Sequence, residues 1–260
     1  MKDSKQFVIT NERHSNLPSG FRTKEVKYID QIYYINYEER LNIQIVEDGC
    51  ILLGNAYQCE CNKKSPIEEL KRAYQLNADI VETYKTWSGR WVLIWKNEIH
   101  LDAGGMLGVF YMITEKSYYI SSSLALIELL TGTPQRKQAA LQWDKGGAWN
   151  PLPLTILESV KKLLPTQLIT INGSLTIQPR LAVKKYKDKT KEELLRRIIE
   201  LNISLLHNID KQSKKTVLSL TSGVDSRTQF ALLLSSGIKF STVTYEKPRI
   251  SKADISGGKK

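Results

Sequence analysis

Residues 217–245 read VLSLTSGVDSRTQFALLLSSGIKFSTVTY. Val217 to Thr221 form a short apolar run of β type, and a turn of small residues follows: Thr221, Ser222 and Gly223, with Asp225 and Ser226 after Val224. From Arg227 the pattern turns helical, because Phe230, Leu233 and Leu234 recur at three- and four-residue spacing. Gly237 falls where that helix should stop, since glycine enters the left-handed conformation without a Cβ penalty. Phe240 to Tyr245 is a second run of β-branched and aromatic residues. Strand, small-residue loop, helix and strand in that order predict the opening of a parallel α/β sheet.

The loop has the chemistry of an anion site. A helix N-terminus presents unpaired N–H groups and a partial positive charge, which attract phosphate. Small residues at 221–223 let those groups approach oxygen closely, and the hydroxyls of Thr221, Ser222 and Ser226 add donors. Asp225 would repel bare phosphate, so its expected role is to hold a bridging Mg²⁺. Arg227 either reaches a phosphate oxygen or faces solvent. The spacing is neither G-x-x-x-x-G-K-[ST] nor G-x-G-x-x-G. The same residues also suit an ordinary strand-to-helix turn with an N-cap serine.

Read as Thr221-Ser222-Gly223-Val224-Asp225-Ser226, the loop resembles the S-G-G-x-D-S pyrophosphate loop of the ATP pyrophosphatase (PP-loop) superfamily. Thr221 is a mild departure from the first serine, whereas Ser222 in place of the first glycine narrows the backbone approach. The resemblance implies ATP and Mg²⁺ as cofactors. It assigns Thr221, Ser222, Gly223, Asp225 and Ser226 to the phosphates, Asp225 to the metal, and the backbones of Leu220 and Tyr245 to the adenosine. It assigns no residue a catalytic role.

Upstream, Thr190-Lys191-Glu192-Glu193 is a capping box. Leu194, Leu195, Ile198, Ile199, Leu205, Leu206 and Ile209 then repeat at helical spacing, predicting a helix over 190–209. The first ~180 residues read as mainly β with a few helices. Strands are expected at Ile32–Asn36, Asn42–Val46, Cys50–Gly54, Trp91–Trp95, Ile99–Asp102, Val109–Thr114, Tyr118–Ser122 and Leu168–Ile171. Asn172-Gly173 predicts a hairpin. Helices are expected after Ser65-Pro66, with Glu68 and Glu69 in the first turn, and over Leu124–Leu130. A Gly/Pro/Trp-rich loop, GGAWNPLPL, begins at Gly146. His14, His100 and His207 each read as isolated, packed or surface histidines.

Several of these stretches resemble asparagine synthetase-like proteins. Ser88 to Trp95, then Leu101-Asp102 to Gly108-Val109-Phe110-Tyr111, is similar to the family's G-x-F-A-[FL]-x-x-[YW]…R-D-x-x-G-x-x-P-L-Y-Y run. Leu154-Thr155 to Leu164-Pro165 is similar to T-x-F-x-G-V-x-x-L-x-P-G. The resemblance covers about residues 50–260. It implies an α+β, β-rich Ntn-like sandwich over 1–183, followed over 184–260 by the N-terminal part of a Rossmann-like PP-loop ATP-binding domain. The implied activity is ATP-dependent amide formation: a small-molecule or peptide carboxylate is adenylated, pyrophosphate leaves, and an amine attacks.

The chain departs from that family in two ways. Glutamine-dependent members use an N-terminal cysteine, and no cysteine lies within the first forty residues here. Gly54-Asn55-Ala56-Tyr57 is at best a remnant of a glutamine-site motif. Glutaminase chemistry is therefore not expected, and nitrogen would come as ammonia or a substrate amine. The family's synthetase domain also continues well past the second strand, so the resemblance implies a truncated product or a fragment, with a homodimer or a partner as alternative sources of the rest. The same residues admit a non-catalytic binding module of this fold, and a tRNA-modifying PP-loop enzyme.

The net charge of +11 is uneven. Residues 184–260 carry 17 Lys and Arg against 8 Asp and Glu, and residues 1–183 carry 21 against 19. The basic residues are scattered without an interleaved aromatic series, which argues against nucleic acid and for a solvated surface that attracts anions. No signal-peptide pattern or membrane-spanning apolar run is present, so a cytoplasmic location is expected. Cys50, Cys59 and Cys61 include a C-x-C rather than paired C-x-x-C clusters, which points to reduced thiols rather than zinc.

Overall fold

A computed structural model describes residues 5–61, 63–137, 151–180, 188–213 and 215–244. The chain divides into two compact units. One comprises Met1–Ala56, Ile67–Lys85 and Gly89–Val183; the other comprises Tyr57–Pro66, Thr86–Ser88 and Lys184–Lys260.

The first unit is built on a β-sandwich. Its strands are β1 (Phe7–Thr10), β2 (Phe21–Tyr28), β3 (Gln31–Glu38), β4 (Ile43–Glu47), β5 (Cys50–Gln58), β6 (Trp87–Trp95), β7 (Glu98–Leu101), β8 (Phe110–Ile113), β9 (Tyr118–Ser121), β10 (Lys161–Lys162), β11 (Gln167–Asn172) and β12 (Ser174–Pro179). One sheet runs β10-β8-β9-β1-β3-β2 and the other β12-β11-β7-β6-β5-β4. Between them Phe7, Ile9, Ile35, Ile51, Leu53, Val92, Ile94, Ile99, Ile120 and Ile169 form the main core. The β-rich sandwich expected for this part of the chain is present. The sequence pattern did not mark β1 or β2. All four residues of β1 are buried, so it lacks polar alternation. In β2 the alternation is blurred by lysine and glutamate, and only Val26 is buried.

Helices cover the outer faces. Residues α1 (Pro66–Leu76) and α2 (Ile80–Tyr84) belong to the second sheet's side, where Tyr74 meets Trp95 edge-on at 5.7 Å and Tyr84 meets Trp91 at 5.3 Å. Asp79 starts α2 by accepting the Val81 N–H at 2.8 Å. On the first sheet's side lies α3 (Leu124–Thr131), capped by Ser123 and ended by left-handed Gly132. Its Ile127 packs with Val8, Tyr119, Leu157 and Val160. The Asn172-Gly173 hairpin joins β11 to β12 as expected. Gly54 has φ +89°, and a Cβ there would fall 2.2 Å from the Arg90 carbonyl oxygen. This glycine is required by close backbone approach, not by a glutamine site.

His100 is not isolated, contrary to the sequence reading. It is buried between Tyr84 OH, 3.0 Å from Nδ1, and Glu98 Oε2, 3.0 Å from Nε2. Arg180 Nη1 donates to Tyr84 OH at 3.3 Å and to the Leu101 carbonyl at 2.6 Å, while Nη2 donates to the Pro165 carbonyl at 2.8 Å. A guanidinium only donates, so the Tyr84 oxygen accepts from Arg180 while also lying within hydrogen-bond reach of Nδ1, and Nε2 faces the Glu98 carboxylate. His14 also has company, its ring 5.7 Å from that of Tyr119.

The second unit contains α4 (Lys191–Gln212), β13 (Thr216–Ser219), α5 (Val224–Ser236) and β14 (Phe240–Val243). The capping box forms as read: Glu193 N–H donates to Thr190 Oγ1 and Thr190 N–H to Glu193 Oε2. Strands β13 and β14 are parallel neighbours, with Thr216 opposite Phe240 and Ser219 opposite Val243. Leu218, Leu233 and Ile238 form a small core with Leu206, Leu220, Phe230 and Phe240 packed against it. Left-handed Gly237 closes α5. Among the described residues no helix is long and apolar enough to cross a membrane.

Candidate functional site

Parallel pairing delivers the loop to one end of the small sheet. The Leu220 N–H donates to the Val243 carbonyl at 2.9 Å, extending the ladder one residue beyond β13. Thr244 Oγ1 donates to the Leu220 carbonyl at 2.9 Å, tying the loop's start to the end of β14. Leu220 is thus the last residue held by the sheet.

Beyond it, Thr221 and Ser226 hold the loop. The Ser226 hydroxyl accepts from the Thr221 N–H at 3.2 Å and lies 3.1 Å from Thr221 Oγ1, from the Thr221 carbonyl and from the Gly223 carbonyl. Thr221 Oγ1 accepts from the Gly223 N–H at 3.2 Å. Gly223 is the N-cap of α5, with φ −66° and ψ 150°, and no side chain caps the helix. Its φ is available to any residue. Space is the tighter constraint, since a Cβ there would lie 3.2 Å from Thr221 Oγ1.

An uncapped α-helix leaves the N–H groups of its first turn without intrahelical partners, here those of Val224, Asp225 and Ser226. Val224 is 69% exposed, and Gly223 and Asp225 are also exposed, so that turn opens to solvent. The arrangement can receive an anion through backbone donors and the helix dipole. Asp225 sits in the first turn, and among the described residues no three His, Cys, Asp or Glu side chains gather where they would share a metal. A lone carboxylate suits Mg²⁺, which keeps several waters and takes its remaining ligands from substrate phosphates. The residues present therefore fit a metal brought with a phosphate chain, not a preformed all-protein metal cage.

The structure brings Leu220, Thr221, Ser222, Gly223, Asp225 and Ser226 together within one strand-to-helix connection. Tyr245 lies outside the described residues, as do Gly146–Asn150 of the expected Gly/Pro/Trp-rich loop. Sequence reading missed Thr244 as a loop support and missed the Thr221–Ser226 bond. A β-strand threonine carries no periodic signal for the former. The latter could have been anticipated from a serine at the third helical position facing back toward the loop.

No family model matches this chain, and no curated protein matches it. Solved structures with a weak likeness to this chain include the two that follow. Glutamine phosphoribosylpyrophosphate amidotransferase from B. subtilis, complexed with ADP and GMP, has a TM-score of 0.36 and 6% identity over 96% of this chain and 62% of that one. A structure described as the allosteric regulatory enzyme of purine biosynthesis has a TM-score of 0.36 and 7% identity over 96% and 61%. The chain spans about three fifths of each. At that TM-score neither likeness carries weight for fold or function.

Proposed function

We propose that the chain is an asparagine synthase-related, ATP-dependent amide-forming ligase. In this reading residues 184–260 belong to a PP-loop nucleotide-binding domain of Rossmann type, and residues 1–183 to an Ntn-like module. The reaction is carboxylate adenylation with ammonia or a substrate amine as acceptor. The observation that carries it is the connection from β13 to α5: small residues, an uncapped helix N-terminus and one carboxylate in the first turn.

The chain's residues have separable tasks. First-turn amides and the Gly223 backbone receive the β- and γ-phosphates, whose charge grows as pyrophosphate departs. Asp225 would hold Mg²⁺ brought with the phosphate chain, and the ion would supply charge neutralisation between carboxylate and phosphate. Leu220, fixed by Val243 and Thr244, sets where the loop begins. ATP supplies the activation of the carboxylate.

The test is equilibrium binding of ATP, with and without Mg²⁺, to wild type, Asp225→Ala and Gly223→Val. Expected are Mg²⁺-dependent binding by wild type, loss of the Mg²⁺ effect in Asp225→Ala, and loss of binding with or without metal in Gly223→Val. Wild-type binding unaffected by either change would overturn the site.

A second reading, a non-catalytic module of the same fold, is favoured by the hydroxyls. Thr221 and Ser226 bond to each other and to loop backbone, and so are already satisfied without a ligand. Absence of ATP binding by correctly folded wild type would favour it.

A further inference from the structure

Cys59 and Cys61 follow the last residue of β5, Gln58, where the chain leaves the sheet. The backbone bends at Glu60 and turns at Cys61. Two residues apart, extended Cα atoms are separated by about 6.6–7.2 Å, the upper limit for a disulfide. A bend at the residue between them brings the two Cα atoms closer than an extended chain would. Both thiols are free, and both line one cavity of about 330 Å³.

Glu60, Lys63, Arg197, Glu200, Leu201 and Ser204 line the same cavity, so its two cations are matched by two carboxylates. Ser204 is only 4% exposed, and among the described residues its hydroxyl has no hydrogen-bond partner. An orphan hydroxyl facing a cavity costs free energy unless something occupies it. The Glu60 carboxylate, between the two cysteines, pairs with Arg197 at 2.7 Å and Lys63 at 3.2 Å. Asn208 Nδ2 donates to the Gln58 carbonyl at 2.7 Å, so the cysteine segment is held on α4 from both sides. The two thiols differ: Cys61 is exposed, whereas Cys59 is half-buried, with burial and then Glu60 pushing its thiol up.

We propose that Cys59 and Cys61 form a thiol–disulfide exchange site for a small-molecule disulfide. The Cys61 thiolate attacks one sulfur of the incoming disulfide. A Cys61–sulfur bond forms, the disulfide bond breaks, and the first thiolate leaves and takes up the proton that Cys61 released. The Cys59 thiolate then attacks Cys61 Sγ, the intrachain disulfide closes, and the second thiolate leaves with the proton from Cys59. Two protein thiols are oxidised and one small disulfide is reduced to two thiols. Ser204 offers its hydroxyl to a polar group of the incoming molecule.

The test equilibrates the full chain with graded ratios of oxidised to reduced glutathione and maps the three cysteines by differential alkylation and peptide mass spectrometry. In wild type the Cys59–Cys61 disulfide should exceed the mixed disulfide at least about tenfold, because the second step is intramolecular. Cys59→Ser should trap glutathione on Cys61. Cys61→Ser should slow reaction at least about tenfold, because Cys59 is the less accessible thiol. A mixed disulfide as abundant in wild type as in Cys59→Ser, or no reaction of either cysteine, would overturn the exchange site.

Discussion

The hydroxyls of Thr221 and Ser226 stand 3.1 Å apart, joining the two ends of the loop between β13 and α5. Removing the Ser226 hydroxyl strips the Thr221 N–H of its acceptor, so Ser226→Ala should lower the stability of the second unit by about 1–2 kcal/mol. Thr221→Ser keeps the oxygen and should cost less. Urea denaturation of Thr221→Val, Ser226→Ala and the double mutant gives the coupling energy, expected at about 0.5–1.5 kcal/mol. A coupling near zero would mean that the two hydroxyls do not support each other.

Asp102 organises the turn after β7. Its carboxylate accepts the N–H groups of Gly104 at 3.0 Å, Met106 at 2.9 Å and Leu107 at 3.3 Å, and it is 2% exposed. Asp102→Asn turns one acceptor oxygen into a donor facing donors. About 2–3 kcal/mol of stability should be lost, the cost of stranding buried N–H groups. A denaturation midpoint equal to that of wild type would show that the turn does not depend on this carboxylate.

Arg180 joins three acceptors that a lysine cannot reach together: the carbonyls of Leu101 and Pro165 and the Tyr84 oxygen. Its guanidinium also lies over the Tyr84 ring, 5.4 Å from the centroid. Arg180→Lys should therefore destabilise the first unit by about 2 kcal/mol, since the fork geometry is lost with the charge retained. Tyr84→Phe removes the hydrogen-bond partner of buried His100 Nδ1 and should cost about 1–3 kcal/mol. Thermal unfolding of each variant tests both.

Gly54→Ala should be the most damaging of the small changes. It combines a positive φ with a Cβ placed against the Arg90 carbonyl, which neighbouring side chains cannot relieve. A loss of about 3 kcal/mol or more is expected. Soluble Gly54→Ala protein with an unchanged urea midpoint would refute the close approach.

Stability should fall on both sides of neutrality. Burial pushes the Cys50 thiol up from 9.0 to about 12 and raises the phenols of Tyr33 and Tyr118 above their ordinary 10.0. Folded pKa values above the unfolded ones mean that the unfolded chain loses these protons first. Their contribution is complete below about pH 9 and is lost as pH rises from there toward 12. Glu98 shifts the other way, held below 4.5 chiefly by its hydrogen bond to His100. Its contribution is present above 4.5 and is lost as pH falls through the folded value. Urea midpoints across pH check both limbs, and the acid limb should shrink in His100→Gln.

Much of this protein is legible along the chain because it rests on local physics. Thr190 and Glu193 are three residues apart and cap α4 wherever it lies. Gly237 ends α5 because its own φ must be positive, and Asn172-Gly173 turns a hairpin without outside help. The order of strand, loop, helix and strand over 216–243 likewise follows from a change in hydrophobic period. Other features depend on residues distant in sequence. β1 is buried on both faces only because β3, β9 and α3 surround it. His100 reads as isolated until β7 and α2 place Glu98 and Tyr84 on either side of it, with Arg180 arriving from the end of β12. Cys59 and Cys61 read as unremarkable thiols until α4 brings Arg197 and Ser204 to the same cavity. The N-terminus of α5 was readable as an anion-seeking turn. Only the folded chain decided that its hydroxyls face one another, because hydrogen bonds across the loop depend on where Val243 and Thr244 hold Leu220.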